Sequence, residues 1–183
     1  VSARYYNPGD KVPANYQLLL TFKDESFLVF TVAMYGFISA YPDAVIDNKY
    51  YTISRESISP LSDAYTEAEF GKLFASAKKT LTAKALLATE QRIPGVGNGV
   101  TQDILFNAGI HPKQKVFDLS DGQKGVLFKS LKDTLMAMTS GRGRDTQTDL
   151  YGNEGGYQTI LSSKTWKNPC PRCGSVIVKE AYL

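Results

Sequence analysis

Between Tyr16 and Ala40 two apolar runs rich in β-branched and aromatic residues flank the polar tetrad KDES, and this pattern predicts a β-hairpin. A further short strand is expected in KYYTIS. After SISPLSDAYT the spacing turns helical. Ser62 and Asp63, with the capping box of Thr66, Glu67, Ala68 and Glu69, predict a helix through about Ser76. A second helix is expected over roughly Leu81 to Glu90 and a third over about Asn98 to Ala108. Ser120 with Gln123 forms another capping box, opening a fourth helix through about Met138 that stops at TSGRG. Gly141 to Tyr157 has no apolar period and is rich in Gly, Asp, Thr and Arg, so it predicts a loop long enough to be functional or mobile. The flanks of the final CPRC, SKTW and SVIVKEAYL, have strand character.

The stretch QRIPGVGNGVTQDILFNAGIHP holds the most specific local chemistry. Pro94 lacks a donor and Gly95 and Gly97 favour turn conformations, so the chain must turn there. Asn98 stands where an N-cap belongs, Ile104, Leu105 and Ala108 supply the apolar face, and Gly109 the stop. A helix that opens from a glycine-rich turn presents unpaired N–H groups and the positive end of its dipole, which together suit a phosphate. An ordinary capped turn between helices is the alternative.

Composition narrows the class without choosing a function. At 183 residues and 43% hydrophobic content the chain can bury one sizeable core or two small ones. It has no run of 18 apolar residues, so no membrane span is expected. The opening VSARYYNPGDK lacks an export signal. The net charge of +3 permits a nucleic-acid partner without demanding one. The only cysteines, Cys170 and Cys173, have the spacing of a thiolate knuckle for zinc, a metal that takes four ligands. With one distant histidine, His111, they predict half a zinc ribbon and a chain shortened at its C-terminus; Val1, at the head of a strand pattern that begins midway, predicts the same at the N-terminus.

The order of these features resembles the formamidopyrimidine-DNA glycosylase and endonuclease VIII family of base-excision-repair enzymes. The likeness rests on PLSDAYT, on TAKALLATEQRIPGVGNGVTQDILFNAGIHP, on GRDTQTDLYGNEGGY and on NPCPRCGSVIVK, from about Pro60 onward. It implies an α+β fold: a partial N-terminal β-sandwich over 1–58, a helical bundle with a helix-two-turn-helix module over 59–160, and a truncated zinc ribbon over 161–183. It places a DNA phosphate on Asn98, with Gly97 and Gly99 allowing close approach, and adds Lys84 and the Tyr157 hydroxyl as backbone contacts. A solvated Lys84 and a Tyr157 packed at the loop exit are the plainer readings. The loop 141–157, with Arg144, Gly155 and Gly156, would close over an everted base, while Arg142 is read as solvated and His111 as structural.

The same resemblance implies zinc held by four cysteines in the full-length protein, incomplete here. It also implies a bacterial, cytoplasmic, nucleoid-associated enzyme whose partner is duplex DNA with an oxidised base or abasic site. Its nucleophile would be an N-terminal proline amine beside a glutamate. Val1 aligns with the sandwich interior, so that catalytic head is expected to be missing and this piece inactive alone. Where better-known members carry an arginine before Phe-Gly, this chain has Ala33, then Tyr35 and Gly36, leaving Tyr35 as a stacking wedge. The spacing from Arg144 to Tyr157 is slightly longer than usual, which leaves the preferred lesion open. A cut sandwich would expose strand edges, so self-association is expected. The competing readings are a non-catalytic nucleic-acid-binding module, which should carry a more basic tail, and an unrelated domain whose PGVGN is only a turn.

Overall fold

In the computed structural model, which describes residues 1–33, 36–42 and 46–179, a small sheet precedes a helical body. Strands β1 (Ser2–Tyr6), β2 (Leu18–Thr21) and β3 (Phe27–Thr31) are antiparallel in the order β1-β3-β2. The register pairs Arg4 with Val29 and Tyr6 with Phe27, and the Tyr6 and Phe27 rings stack at 4.9 Å. Phe27 and Val29 are buried. The expected hairpin is therefore β2–β3, closed by Phe22 N donating to Ser26 O and by the Asp24 carboxylate accepting from the Ser26 amide and hydroxyl.

The expected strand in KYYTIS is instead a helix, α1 (Lys49–Glu56). Asn48 Oδ1 accepts from both Tyr50 N and Tyr51 N, and this cap starts a helix despite the β preference of the aromatic and branched residues that follow. No residue of α1 is buried, so its pattern gave no apolar stripe to read.

Helix α2 (Glu67–Ala75) begins where expected, with Thr66 Oγ1 accepting from Glu69 N. Its capping box is half formed: Thr66 N donates to Ala64 O, and Glu69 pairs with Lys72. Helix α3 (Ala83–Ala88) is shorter than predicted because Thr82 caps Ala85 N at one end and Thr89 turns extended at the other. Helix α4 spans Asn98–Ala108 and ends on left-handed Gly109. Helix α5 (Asp121–Ser140) opens with both bonds of the Ser120 and Gln123 capping box.

The core is built by these last four helices. Phe70, Leu86, Leu87, Ile93, Ile104, Leu127 and Leu131 are almost wholly excluded from solvent. Between α4 and α5, Ser130 Oγ donates to Ile104 O at 2.7 Å and Asn107 Nδ2 to Thr134 Oγ1 at 3.1 Å, so the polar groups in the seam are paired.

The segment 141–157 holds more structure than a bare loop. Isolated bridges join Arg144 to Tyr157 and Thr148 to Glu154, and Asp149 accepts from Tyr151 N, Asn153 N and Asn153 Nδ2. Beyond it, SKTW is not a strand: Ser162 and Thr165 bond to each other and Trp166 N donates to Ser162 O, making turns. Only the second flank pairs, through a bridge of Val176 with Pro169.

Tyr65 offers a stability test, because its buried hydroxyl has no hydrogen-bond partner among the described residues. Burial first, and the Glu69 charge second, push this hydroxyl up to about 12. Its folded pKa exceeds the ordinary value, so its contribution to stability is intact below about pH 10 and is lost as pH rises through about 12. Tyr65→Phe should remove that share of the alkaline loss and, at neutral pH, leave stability unchanged or raise it by about 1 kcal/mol, measured by urea unfolding.

Candidate nucleic-acid interface

The turn from α3 to α4 is shaped by a few constrained positions. Glu90, Gln91 and Gly95 have positive φ of 58°, 49° and 82°. Ile93 and Val96, both buried, fix the turn to the core. Arg92 seals the end of α3 by donating to Ala85 O at 3.1 Å. What remains outside the core is the apex at Gly95, Gly97 and Asn98.

There Gly97, not Asn98, is the N-cap of α4, and Asn98 is the first helical residue. The Gly97 carbonyl accepts from Val100 N and Thr101 N, which fixes the helix start one residue earlier than the side-chain signal suggests. A glycine cap has no side chain to fill the first amides, and no cap bond is made. Gly97 and Asn98 are exposed, and nothing lies within 4 Å of where a Gly97 Cβ would be. The apex is an open, positively polarised helix start and so a candidate seat for an anion.

The loop reaches this seat. A Cβ on Gly99, in the first turn of α4, would overlap the Arg144 guanidinium and sit 3.0 Å from its Cζ. The structure thus brings Arg144 against Gly99, next in sequence to Gly97 and Asn98. Gly155 is required for the loop to close, since a Cβ there would overlap the Gly143 carbonyl, and Gly156 N donates to Gly141 O at 2.7 Å. Tyr157 N donates to Gly143 O and Tyr157 O accepts from Asp145 N, so the tyrosine is locked into the base of the loop. Burial first, then the negative Asp103 beside it, push its hydroxyl up to about 12.

Asp103 is not among the candidates that the sequence points to, yet it organises this region. It is completely buried on α4, its Oδ1 accepting from Leu161 N at 2.8 Å and its Oδ2 from Ile160 N at 3.0 Å. Its only signal is an acid set among Thr101, Ile104 and Leu105 on the face that packs inward. Asp145 makes a parallel clamp, accepting from Thr159 N and Thr159 Oγ1.

Lys84 lies half-buried in α3, its amide donating to Pro112 O. His111 Nδ1 accepts from Lys113 N, a turn-closing role as expected. Tyr35, the expected wedge, lies outside the described residues, between Ala33 and Gly36.

Cys170 and Cys173 face each other across a tight turn in which Gly174 N donates to Cys170 O and Cys170 N to Ser175 O. Hydrogen bonding from Ser175, then from Cys170, pushes the Cys173 thiol below its ordinary value. Among the described residues no third His, Cys, Asp or Glu joins them, so they supply half the ligand set that tetrahedral zinc takes. Between them, Arg172 Nη2 donates to Asn107 O at 2.8 Å and its guanidinium covers the Phe106 ring at 4.7 Å, tying the knuckle to the C-terminal end of α4.

The small antiparallel sheet joined to a helical body matches the fold of solved Fpg proteins. A Lactococcus lactis Fpg in complex with abasic-site DNA matches with a TM-score of 0.75 at 23% identity, covering 98% of this chain and 66% of that one. The MutM (Fpg) protein of Thermus thermophilus matches with a TM-score of 0.70 at 21% identity, covering 100% and 68%. In sequence the chain is 30% identical to the formamidopyrimidine-DNA glycosylase of Streptococcus agalactiae serotype III over 186 residues, covering 98% of this chain and 67% of that protein. The Listeria innocua enzyme of the same name is 29% identical over 187 residues, covering 96% and 65%. No protein-family model matches. The chain belongs to the formamidopyrimidine-DNA glycosylase family, and it spans about two thirds of the length of these relatives.

Removing the Asp103 carboxylate leaves two backbone donors without their acceptor. Asp103→Ala should cost about 2–4 kcal/mol in urea unfolding, and Asp103→Asn, which keeps one acceptor oxygen, should recover part of it.

Proposed function

We propose that this chain is the damage-binding part of a base-excision-repair DNA glycosylase and AP lyase. The observation that supports it best is the convergence of Arg144 from the loop on Gly99 at the open start of α4. A phosphate seated on the first amides of α4 would be bound by the helix dipole, by Asn98 and by the Arg144 guanidinium, whose planar fork suits phosphate oxygens. Such a contact fixes register on the duplex without reading sequence. Lys84 is a further candidate backbone contact, and Tyr35 the candidate wedge.

Everting a base costs least where pairing is already broken, so a seat for the backbone beside a loop that can cover the vacated base favours damaged DNA. The loop with Gly155 and Gly156 is the cover in this reading. The Tyr157 hydroxyl, held toward Asp103 and Asn107, acts by fixing the loop's base. The residues gathered at the site bind and orient. The two-thiolate knuckle would hold half of a structural zinc, which supplies rigidity rather than chemistry. No described helix is long and apolar enough to cross a membrane; a bacterial cytoplasmic, nucleoid-associated setting is what the family likeness suggests. Leu20, Phe22, Phe37 and Ile38 are exposed, and self-association of the sheet region through such apolar side chains is part of this reading.

Fluorescence anisotropy with an abasic-analogue duplex and its undamaged counterpart, at low and moderate salt, tests this. Preferential, salt-weakened binding of the abasic duplex is expected. Asn98→Ala should weaken it roughly tenfold while leaving the melting temperature unchanged, because the cap is Gly97 and alanine suits a first helical position. Equal affinity for both duplexes would instead indicate a general nucleic-acid binder, and no binding at low salt would overturn the proposal.

A further inference from the structure

The tip of the 141–157 loop is fastened to the outer edge of the sheet. Tyr5 N, on the side of β1 away from β3, donates to Leu150 O at 2.8 Å, and the Tyr5 and Tyr151 rings meet at 5.6 Å. Arg4 lies alongside: its Nη2 is 3.5 Å from Thr148 Oγ1, and its guanidinium fills the space a Cβ on Gly152 would occupy, 3.1 Å from Cζ. Gly152 has a φ of +93°, a conformation that L side chains rarely adopt. The Asp149 carboxylate presets the shape of this turn through its bonds to Tyr151 and Asn153. The loop is therefore keyed at both ends by an arginine over a glycine, Arg144 over Gly99 on α4 and Arg4 over Gly152 on β1.

We propose that Arg4 is a positioning residue for damage recognition. By keying into Gly152 it fastens the loop tip to β1, so that the loop is a crossbar of fixed span between the phosphate seat and the sheet. This rests on the DNA-binding reading above. A free loop of this length must lose its conformational freedom when it covers an everted nucleotide, whereas a loop clamped at both ends has lost part of it before DNA arrives. An undamaged duplex whose bases stay stacked does not use the cover. Arg4 therefore acts on the preference for damaged DNA and not on affinity in general.

The intact protein and its Arg4→Ala, Gly152→Ala and doubly substituted forms would be compared by amide hydrogen exchange without DNA and by anisotropy with abasic-analogue and undamaged duplexes. Arg4→Ala should speed exchange of the Tyr5 amide roughly tenfold and lower the ratio of abasic to undamaged affinity roughly three- to tenfold, with affinity for the undamaged duplex unchanged. In the Gly152→Ala background, where Arg4 is already displaced, Arg4→Ala should add nothing. Unchanged Tyr5 exchange, additive effects, faster exchange at a constant affinity ratio, or an equal loss on both duplexes would each overturn the proposal. Failure of the DNA-binding reading shows separately, as equal affinity of the unsubstituted protein for the two duplexes, and overturns it too.

Discussion

The buried carboxylate of Asp103 is the constraint on which the site depends. A charged acceptor excluded from water is tolerable only when it is fully hydrogen-bonded, and here the amides of Ile160 and Leu161 meet it. A path of the chain out of the loop that carried these amides elsewhere would leave that carboxylate unpaired, so the exit of the loop is fixed against the middle of α4. The same helix carries the open, candidate anion seat at Gly97 and Asn98 at one end, and at the other the Asn107 carbonyl that Arg172 caps. An 11-residue helix is about 16 Å long, so seat, loop exit and knuckle are referred to one short rigid rod.

Much of this is legible where a local rule and the tertiary fold agree. Ser120 with Gln123, Thr66, and the Gly109 stop each read correctly, because capping bonds are made within a few residues of one another. The glycine-rich turn is visible too, but its pattern puts the cap on Asn98 when Gly97 holds it: a residue with a capping side chain outweighs a bare glycine in any pattern. KYYTIS misleads for the converse reason. Its residues favour strands, and the bond network from Asn48 that makes it helical depends on the backbone direction rather than on periodicity. Asp103, Arg172 and Arg4 act across 57, 65 and 144 residues of chain, distances at which spacing carries no information.

The sheet illustrates the same separation of local from distant. The hairpin is visible in its two apolar runs, and the order β1-β3-β2 leaves β1 at an edge. In the folded chain that edge is occupied in part by the loop, through Tyr5 and Leu150. Covering an edge with a loop is one of the ways proteins blunt it. Exposed apolar side chains remain at Leu20, Phe22 and the residues that follow β3, and also at Val1 and Tyr151 on the β1 side.

The two arginine-on-glycine contacts differ in electrostatics, and the difference bears on function. Arg4 lies beside a strand, where backbone dipoles largely cancel, and is satisfied by packing and by Thr148. Arg144 lies over the first turn of α4, where the helix dipole is positive, and a cation there is repelled by the partial charge of the amides beneath it. Packing against Gly99 does not remove that repulsion; an anion between guanidinium and amides does, turning two like charges into two partners of one ligand. The missing side chain at Gly99 lets the guanidinium lie against the first turn of α4, which an alanine there would prevent unless the arginine moved.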